Sequence, residues 1–64
     1  MVKNKIVQYG IYTLKQTAEE KNGGKIITKD SKVIVMDFLD NDYVLVCRYG
    51  YYQDTLRIRI DLLV

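Results

Sequence analysis

The chain has 64 residues, which is enough for one small domain that buries only about 60% of the surface its unfolded form exposes. Its single cysteine, Cys47, cannot form an intrachain disulfide, and without histidine the usual ligand set of a structural zinc site is missing. Apolar residues make up 48% of the chain and the net charge is +2, a composition that excludes a disordered protein. We therefore expect one ordered domain over residues 1–64, stabilised by packing.

The distribution of charge and apolar residues also bears on location. Residues 1–32 hold seven lysines against three acidic residues, whereas residues 33–64 hold three arginines against five aspartates. Neither a signal-peptide core nor an apolar stretch of about 20 residues is present, so export and membrane insertion are both disfavoured. A lone thiol suits a reducing compartment. We expect a cytoplasmic protein, in the host cytoplasm if its source is viral.

The first predicted element is a strand over KIVQYGIYTL, residues 5–14, in which Gly10 marks a bulge or a sharp bend. The segment that follows contains two capping-box patterns, TLKQ and TAEE, but only Leu14 and Ala18 could form the buried stripe of a helix. We predict a long loop with one helical turn, then a short strand over residues 25–28. The alternative is an α+β fold with a short helix near residues 14–22 on an antiparallel sheet.

Three further strands are predicted in the second half of the chain. KVIVMDF (32–38) and YVLVCRY (43–49) are rich in β-branched and aromatic residues and flank LDND (39–42), which favours a tight reversal. In TLRIRIDLL (55–63), apolar and charged residues alternate with the period of a half-buried strand. CRYGYYQD (47–54) lies between the last two strands and is predicted to hold the turn, with Gly50 adopting a conformation that other residues avoid. The result is an antiparallel meander.

The hairpin at residues 32–49 has apolar residues on both faces. A turn centred on Asp40 and Asn41 predicts these pairs: Phe38 with Tyr43, Met36 with Leu45, Ile34 with Cys47, and Val35 with Val46. One face then carries Val33, Val35, Val44 and Val46. The opposite face carries a predicted apolar interface made of Ile34, Met36, Phe38, Tyr43 and Leu45, together with Cys47. The pattern leaves open which face lies inside, but either choice leaves an apolar surface that a partner or another part of the chain must cover.

Five short strands without a covering helix must hide both their edges and their core, which favours a small barrel. The stretch from GGKIITKDSKVIVMDF through DYVLVCRYG to LRIRIDLLV resembles SH3-like small barrels in its long first loop, its meander and its hydrophobic end. The resemblance implies a mostly all-β, five-stranded SH3-like small barrel. In size and style the chain is also similar to small proteins of bacteriophages and other mobile elements.

The residues that catalysis needs are scarce. Ser31 is the only serine, and Cys47 falls within a predicted strand with no base beside it in sequence. Asp37, Asp40 and Asp42 are close together, but their spacing suits a hairpin tip, where aspartate is favoured for turn formation. We therefore expect no enzyme, no catalytic residues, no metal and no cofactor.

A cluster rich in tyrosine and arginine is the strongest candidate for a binding surface. Both side chains combine large contact area with directional hydrogen bonds, as at many binding hot spots. The candidate partner-binding residues are Arg48, Tyr49, Tyr51, Tyr52, Arg57 and Arg59. An alternative is that Tyr49 packs in the core while Tyr51 and Tyr52 cover its rim.

The sequence thus favours a non-enzymatic protein-binding module that binds and modulates a host or viral protein, or that binds a second copy of itself. The alternative is an SH3-like or OB-like protein that binds nucleic acid through the tyrosine and arginine cluster, guided by lysines. The lysines that would serve this purpose are Lys15, Lys21, Lys25, Lys29 and Lys32. The acidic balance of the C-terminal half weighs against this alternative. No membrane partner is expected.

Overall fold

The computed structural model of this chain describes residues 6–20 and 23–64, and within them the fold is all-β and antiparallel. A 3₁₀ turn at Ile60–Leu62 follows the last strand. The strands are β1 (Ile11–Thr13), β2 (Ala18–Glu19), β3 (Ile26–Ile27), β4 (Lys32–Phe38), β5 (Tyr43–Arg48) and β6 (Tyr51–Arg59).

The strands form two antiparallel sheets. Four of them pair in the order β1-β4-β5-β6, while β2 and β3 form a separate two-stranded ribbon, called the β2–β3 ribbon below. The predicted meander is therefore confirmed as β4, β5 and β6. The described strands do not close into a barrel, so the mostly β class is confirmed while the five-stranded SH3-like barrel is not.

The β4–β5 hairpin follows the predicted register at its base and departs from it near its tip. Val35 pairs with Val46 as expected, but a bulge at Met36 shifts the following pairs by one residue, so that Phe38 faces Val44 and not Tyr43. Asp40 contributes to this change, because its carboxylate accepts hydrogen bonds from the backbone N–H groups of Asp42 (2.8 Å) and Tyr43 (3.0 Å). These bonds support a turn wider than the two-residue turn that we predicted.

The first half of the chain contains less regular structure than predicted. The strand expected over residues 5–14 is regular only at β1, because the chain turns at Gln8 and Tyr9, just before β1. The first residue of the expected strand, Lys5, lies outside the described part of the chain. No α-helix occurs in the residues described, so the helical turn and the α+β alternative are not supported. Thr17 accepts a hydrogen bond from the Lys29 backbone N–H at 3.0 Å instead of capping a helix. The ribbon thus replaces the predicted helical turn.

The core lies between the valine-rich side of the β4–β5 hairpin, the second half of β6, the ribbon and the C-terminal tail. Its buried members are Leu14, Ala18, Ile27, Val33, Val35, Val44, Val46, Leu56, Ile58 and Leu63. Val33, Val35, Val44 and Val46, called the valine face below, have no exposed surface. The structure thus decides which hairpin face lies inside.

The chain ends by returning to β1. The predicted alternation over residues 55–63 is wrong beyond β6, because the 3₁₀ turn redirects the chain at Ile60. This turn brings Leu63 into the core, where it is only 4% exposed and bridges Leu14. Thr13 and Val64 exchange backbone hydrogen bonds of 3.1 and 2.9 Å, so the tail continues the sheet beside β1.

Candidate functional site

The turn between β5 and β6 is shorter than predicted and is followed by a large irregularity. Only Tyr49 and Gly50 form the turn, and Gly50 has φ 92°, the positive value that only glycine adopts readily. Arg48 pairs with Tyr51, yet the next pair is Cys47 with Thr55. The three residues at 52–54 therefore have no opposite residue on β5 and form a bulge. The prediction that residues 51–54 belong to the turn is wrong, since they are part of β6.

Four residues at this turn, Arg48, Tyr49, Tyr51 and Tyr52, form what we call the turn cluster. The Arg48 guanidinium stacks over the Tyr51 ring, 4.2 Å from its centre, and the Tyr49 and Tyr52 rings meet edge to face at 6.3 Å. The three tyrosines are between 51% and 56% exposed. Tyr49 does not pack in the core. The alternative in which Tyr49 is a core residue and the other two rings cover the rim of the core is therefore not supported. The contacts order the rings and leave half of each available to a partner.

A groove of about 240 Å³ adjoins the turn cluster, between the β2–β3 ribbon and β6. Two buried core residues, Ile27 and Leu56, contribute apolar surface to it. Its other lining residues are Lys25, Ile26, Arg48, Tyr51 and Asp54. The Lys25 ammonium also donates a hydrogen bond to the Thr55 carbonyl at 3.1 Å, which links the ribbon to β6 beside the groove. The groove combines an apolar base with charged groups at its margin, as protein interfaces combine an apolar centre with a polar rim.

Arg57 and Arg59 do not join the turn cluster. Both lie farther along β6 on the face that points away from the core, here called the outer face of the sheet. The Arg57 guanidinium stacks over the Tyr43 ring at 4.3 Å. Arg59 forms an exposed ion pair with Asp61 at 2.9 Å, and this hydrogen-bonded carboxylate raises the pKa of Arg59. The single platform predicted from the sequence is thus divided into two separate surfaces.

The outer face carries most of the predicted apolar interface. Ile34, Met36, Tyr43 and Leu45 are half-buried there. The predicted position of Phe38 in this interface is wrong. The bulge at Met36 pairs Phe38 with Val44 of the valine face, so Phe38 is not on the outer face and lies 42% exposed at the end of β4. Ile11, on β1 opposite Ile34, extends the apolar surface and is 51% exposed.

Cys47 also belongs to the outer face, yet it has no exposed surface. It alternates with the inward-facing Val46, pairs with Ile34 and Thr55, and is not part of the core cluster. Neighbouring side chains therefore cover the thiol from outside. This loss of solvent raises the pKa of the Cys47 thiol, which keeps it protonated and unreactive at neutral pH.

The lysines of the nucleic-acid alternative are dispersed. Lys15, Lys25, Lys29 and Lys32 are all exposed, but only Lys25 borders the groove. Lys21 lies outside the described residues. Lys32 lies beside the turn cluster, because its backbone carbonyl accepts a hydrogen bond from the Tyr49 N–H at 2.9 Å.

Of the aspartates near the β4–β5 tip, Asp40 acts in the turn, as its position in the sequence predicted, whereas Asp37 lies within β4. Asp40 accepts the two backbone hydrogen bonds described above, and Asp37 accepts one from the Phe38 N–H at 2.9 Å. In the part of the chain that the structure describes, no group of three or more histidine, cysteine, aspartate or glutamate residues could hold a metal ion.

Comparison with models of protein families, with curated proteins and with solved structures yielded no match to this chain. No helix within residues 6–20 and 23–64 has the length and apolar character needed to cross a membrane.

The contribution of the β2–β3 ribbon to the groove was not predicted from the sequence. Lys25 and Ile26 line the groove together with Asp54, but they lie far from Asp54 in sequence and only the fold brings them together. One local signal was available, because the KIIT segment places two isoleucines in succession. A strand that buries Ile27 must expose Ile26, which is 52% exposed here.

Proposed function

We propose that this chain is a non-enzymatic protein-binding module whose contact surface is the turn cluster with the adjoining groove. The observation that carries the proposal is the packing of three half-exposed tyrosines with Arg48 beside an apolar-based groove. Ordered aromatic rings lose little conformational entropy when a partner covers them, and tyrosine and arginine dominate the energetics of many interfaces. A partner that covers the rings and fills the groove would bury both apolar and hydrogen-bonding surface.

We also infer that the fold is an open variant of the SH3-like small barrel. Its support is the order of elements: a first strand, a long two-stranded excursion, a three-stranded meander, a 3₁₀ turn and a tail that returns to β1. The reciprocal hydrogen bonds between Thr13 and Val64 join the two ends of this path. In such an open barrel, the short C-terminal tail, and not an additional long strand, connects the end of the chain to β1.

Alanine substitution in the turn cluster tests the protein-binding proposal. Tyr51→Ala and Tyr52→Ala are expected to leave the free energy of unfolding nearly unchanged, because both side chains are more than half exposed. Partner affinity should fall by about 2 kcal/mol or more if either ring is a hot spot. The measurement is quantitative capture from lysate, with and without nuclease, followed by titration of the captured protein.

Tyr9→Ala is the matched control, because Tyr9 is 66% exposed and lies beside Val35, on the far side of the sheet from β6. It should bind like the wild type. Equal binding by all three variants would contradict the proposal, and unfolding of Tyr51→Ala or Tyr52→Ala would show that these tyrosines support the core.

A second candidate function, binding of single-stranded nucleic acid, is favoured by one observation: Lys25, Arg48 and Tyr51 line the same groove. A base could stack on the ring while the two cations contact phosphates. Such a complex should weaken steeply with salt, with log K falling by about 0.7 per phosphate neutralised on a single strand. A protein complex centred on tyrosines should depend on salt only weakly, so a salt titration of the captured complex distinguishes the two functions.

A further inference from the structure

The pairing of β5 and β6 determines which backbone N–H and C=O groups of β6 point toward β5 and which point toward its free edge. The Ile60 N–H donates to the Asp42 carbonyl at 2.8 Å, in the same register as the pairs that follow. Hydrogen-bonded and non-hydrogen-bonded pairs alternate in an antiparallel ladder. Ile58 and Leu56 are therefore bonded to β5, whereas the N–H and C=O groups of residues 55, 57 and 59 point away from it.

This edge is largely unoccupied. Among the described residues, β6 pairs with no strand other than β5, and the Lys25 ammonium is the one group that bonds to the outward edge, at the Thr55 carbonyl. The outward backbone groups of Arg57 and Arg59 have no partner in the described part of the chain, and both residues are exposed. The bulge at 52–54 interrupts the regular edge at one end, and the 3₁₀ turn ends it at the other. A regular edge of five residues, 55–59, is left.

The two sides of this edge differ in chemistry. On the outer face, a strand added beside β6 would run next to Arg57 and Arg59, both of which are exposed. The Arg57 guanidinium now stacks on Tyr43 and that of Arg59 pairs with Asp61, so an acidic partner would compete with these two contacts. On the inner side, it would meet Leu56 and the groove, where Ile26 is exposed. Among the residues that line the groove, Lys25 and Arg48 outnumber Asp54, and Glu19, which pairs with Ile26, adds one further negative charge. Arg59 and Asp61 offset each other in their ion pair, whereas Arg57 adds a positive charge. The charge around the edge is thus positive overall.

We propose that the β6 edge binds an extended segment of a partner protein by strand addition, with acidic residues facing Arg57 and Arg59 and an apolar residue entering the groove. The proposal rests on the protein-binding function above and names the chemistry of the partner. Main-chain hydrogen bonds to Arg57 and Arg59 supply part of the affinity, and alternate side chains supply specificity. Opposite charges directly across two strands stabilise the pairing, whereas like charges oppose it.

A second copy of the chain fits this edge less well. In an antiparallel pairing of two β6 strands, the outward residues of one copy face the outward residues of the other. Within the regular edge these positions are Thr55, Arg57 and Arg59. None is acidic, so a second β6 offers no carboxylate to Arg57 or Arg59.

The direct test uses the full chain and a capped octapeptide of alternating glutamate and valine. Hydrogen exchange of the Arg57 and Arg59 backbone N–H groups, followed by NMR, is expected to slow at least tenfold when the peptide is bound. A peptide N-methylated on its glutamates, whose backbone groups face β6, should bind at least tenfold more weakly. The same peptide N-methylated on its valines should bind as well as the unmodified one, because those groups face solvent. A lysine–valine peptide should not bind.

Variants of the protein test the same edge. Arg57→Pro removes one outward N–H without removing a hydrogen bond to β5, so peptide affinity should fall at least tenfold in a chain that keeps its fold by circular dichroism. Arg57→Lys keeps both the N–H and the charge and should bind normally. Should Arg57→Pro fail to fold, the pair of N-methylated peptides with wild-type protein still decides the question.

The outcomes separate this proposal from the protein-binding function. Peptide binding that perturbs Tyr51 and Tyr52 but leaves exchange at Arg57 and Arg59 unchanged overturns strand addition and leaves the turn cluster as a binding surface. Failure of the glutamate–valine peptide to bind, with a captured protein still lost in Tyr51→Ala, also overturns strand addition alone. Slowed exchange at Arg57 that depends on protein concentration without peptide would show that a second copy occupies the edge, which overturns the assignment to an acidic partner.

Discussion

Cys47 illustrates how the surroundings of one residue determine its chemistry. A thiol on the outer face of a sheet would ordinarily be accessible, but this one has no exposed surface, and burial raises its pKa. Because the thiolate is the reactive form, Cys47 should be inert under conditions in which a peptide cysteine reacts. The strand placement expected from the sequence is confirmed by its position in β5.

We predict that a thiol reagent labels native Cys47 at least tenfold more slowly than a peptide cysteine at pH 8. Stability should also depend on pH through this group. The folded chain favours the protonated thiol, so its contribution is fully present below the ordinary pKa of 9.0 and is lost as the pH rises through the higher pKa of the folded state. Urea titrations from pH 7 to 11 would measure this loss.

Cys47→Ala is the control for this experiment, because it removes the thiol titration and keeps every other titratable group. The difference in the free energy of unfolding between the two proteins should shrink as the pH rises above 9.0. Labelling at the rate of a free peptide would show that the outer face does not cover the thiol.

At the scale of elements, the β5–β6 hairpin is the main departure from expectation. The sequence predicts a connecting turn over residues 50–54, but the structure confines the turn to Tyr49 and Gly50 and places three bulged residues in β6. The bulge allows Tyr51 and Tyr52 of the turn cluster to belong to the same strand as the regular edge at 55–59 while each part keeps its own geometry. The local features of a turn and those of a bulge are similar, since both favour polar and small residues between apolar runs.

We predict that Gly50→Ala lowers the free energy of unfolding by about 1–2 kcal/mol, the usual cost of a left-handed conformation in a residue other than glycine. No atom lies within 4 Å of the position that an added Cβ would occupy, so the cost would come from the backbone at φ 92° and not from a clash. Chemical denaturation measures the change.

Gly50→Asn is the matched control, because asparagine tolerates positive φ better than alanine does. It should destabilise the chain less than Gly50→Ala. Equal stability of Gly50→Ala and the wild type would mean that the turn adopts another backbone conformation in solution.

At the scale of the whole molecule, the sheet has one buried side and one apolar outer face. The valine face packs against the ribbon, β6 and the tail, whereas Ile11, Ile34, Met36 and Leu45 remain at least partly exposed on the other side. A contiguous apolar patch of several hundred Å² is unusual on a soluble monomer. Covering it by association would remove this surface from water.

We therefore predict that the chain self-associates or binds a partner through its outer face. Sedimentation at increasing concentration should show a species larger than the monomer. Leu45→Lys, which places a charge at the centre of this face, should weaken the association at least tenfold. A strictly monomeric chain at high concentration, together with capture of no partner from lysate, would contradict the prediction. Phe38→Lys is the control, because Phe38 lies outside this face.

The sequence alone determined the β class, the three strands of the meander and the need for a glycine at Gly50, because these follow from local patterns: period-two alternation and the restricted φ of other residues. It also identified the tyrosines and arginines. Only the tertiary structure decided that the valine face is buried, that Phe38 leaves the outer face, and that Arg57 and Arg59 are separate from the turn cluster. These positions depend on strand register, because one bulged residue moves the side chain of every residue beyond it to the opposite face of the sheet. The groove was unpredictable for a related reason: the ribbon and β6 meet through contacts between residues about 30 positions apart, such as Lys25 and Thr55, which no local pattern encodes.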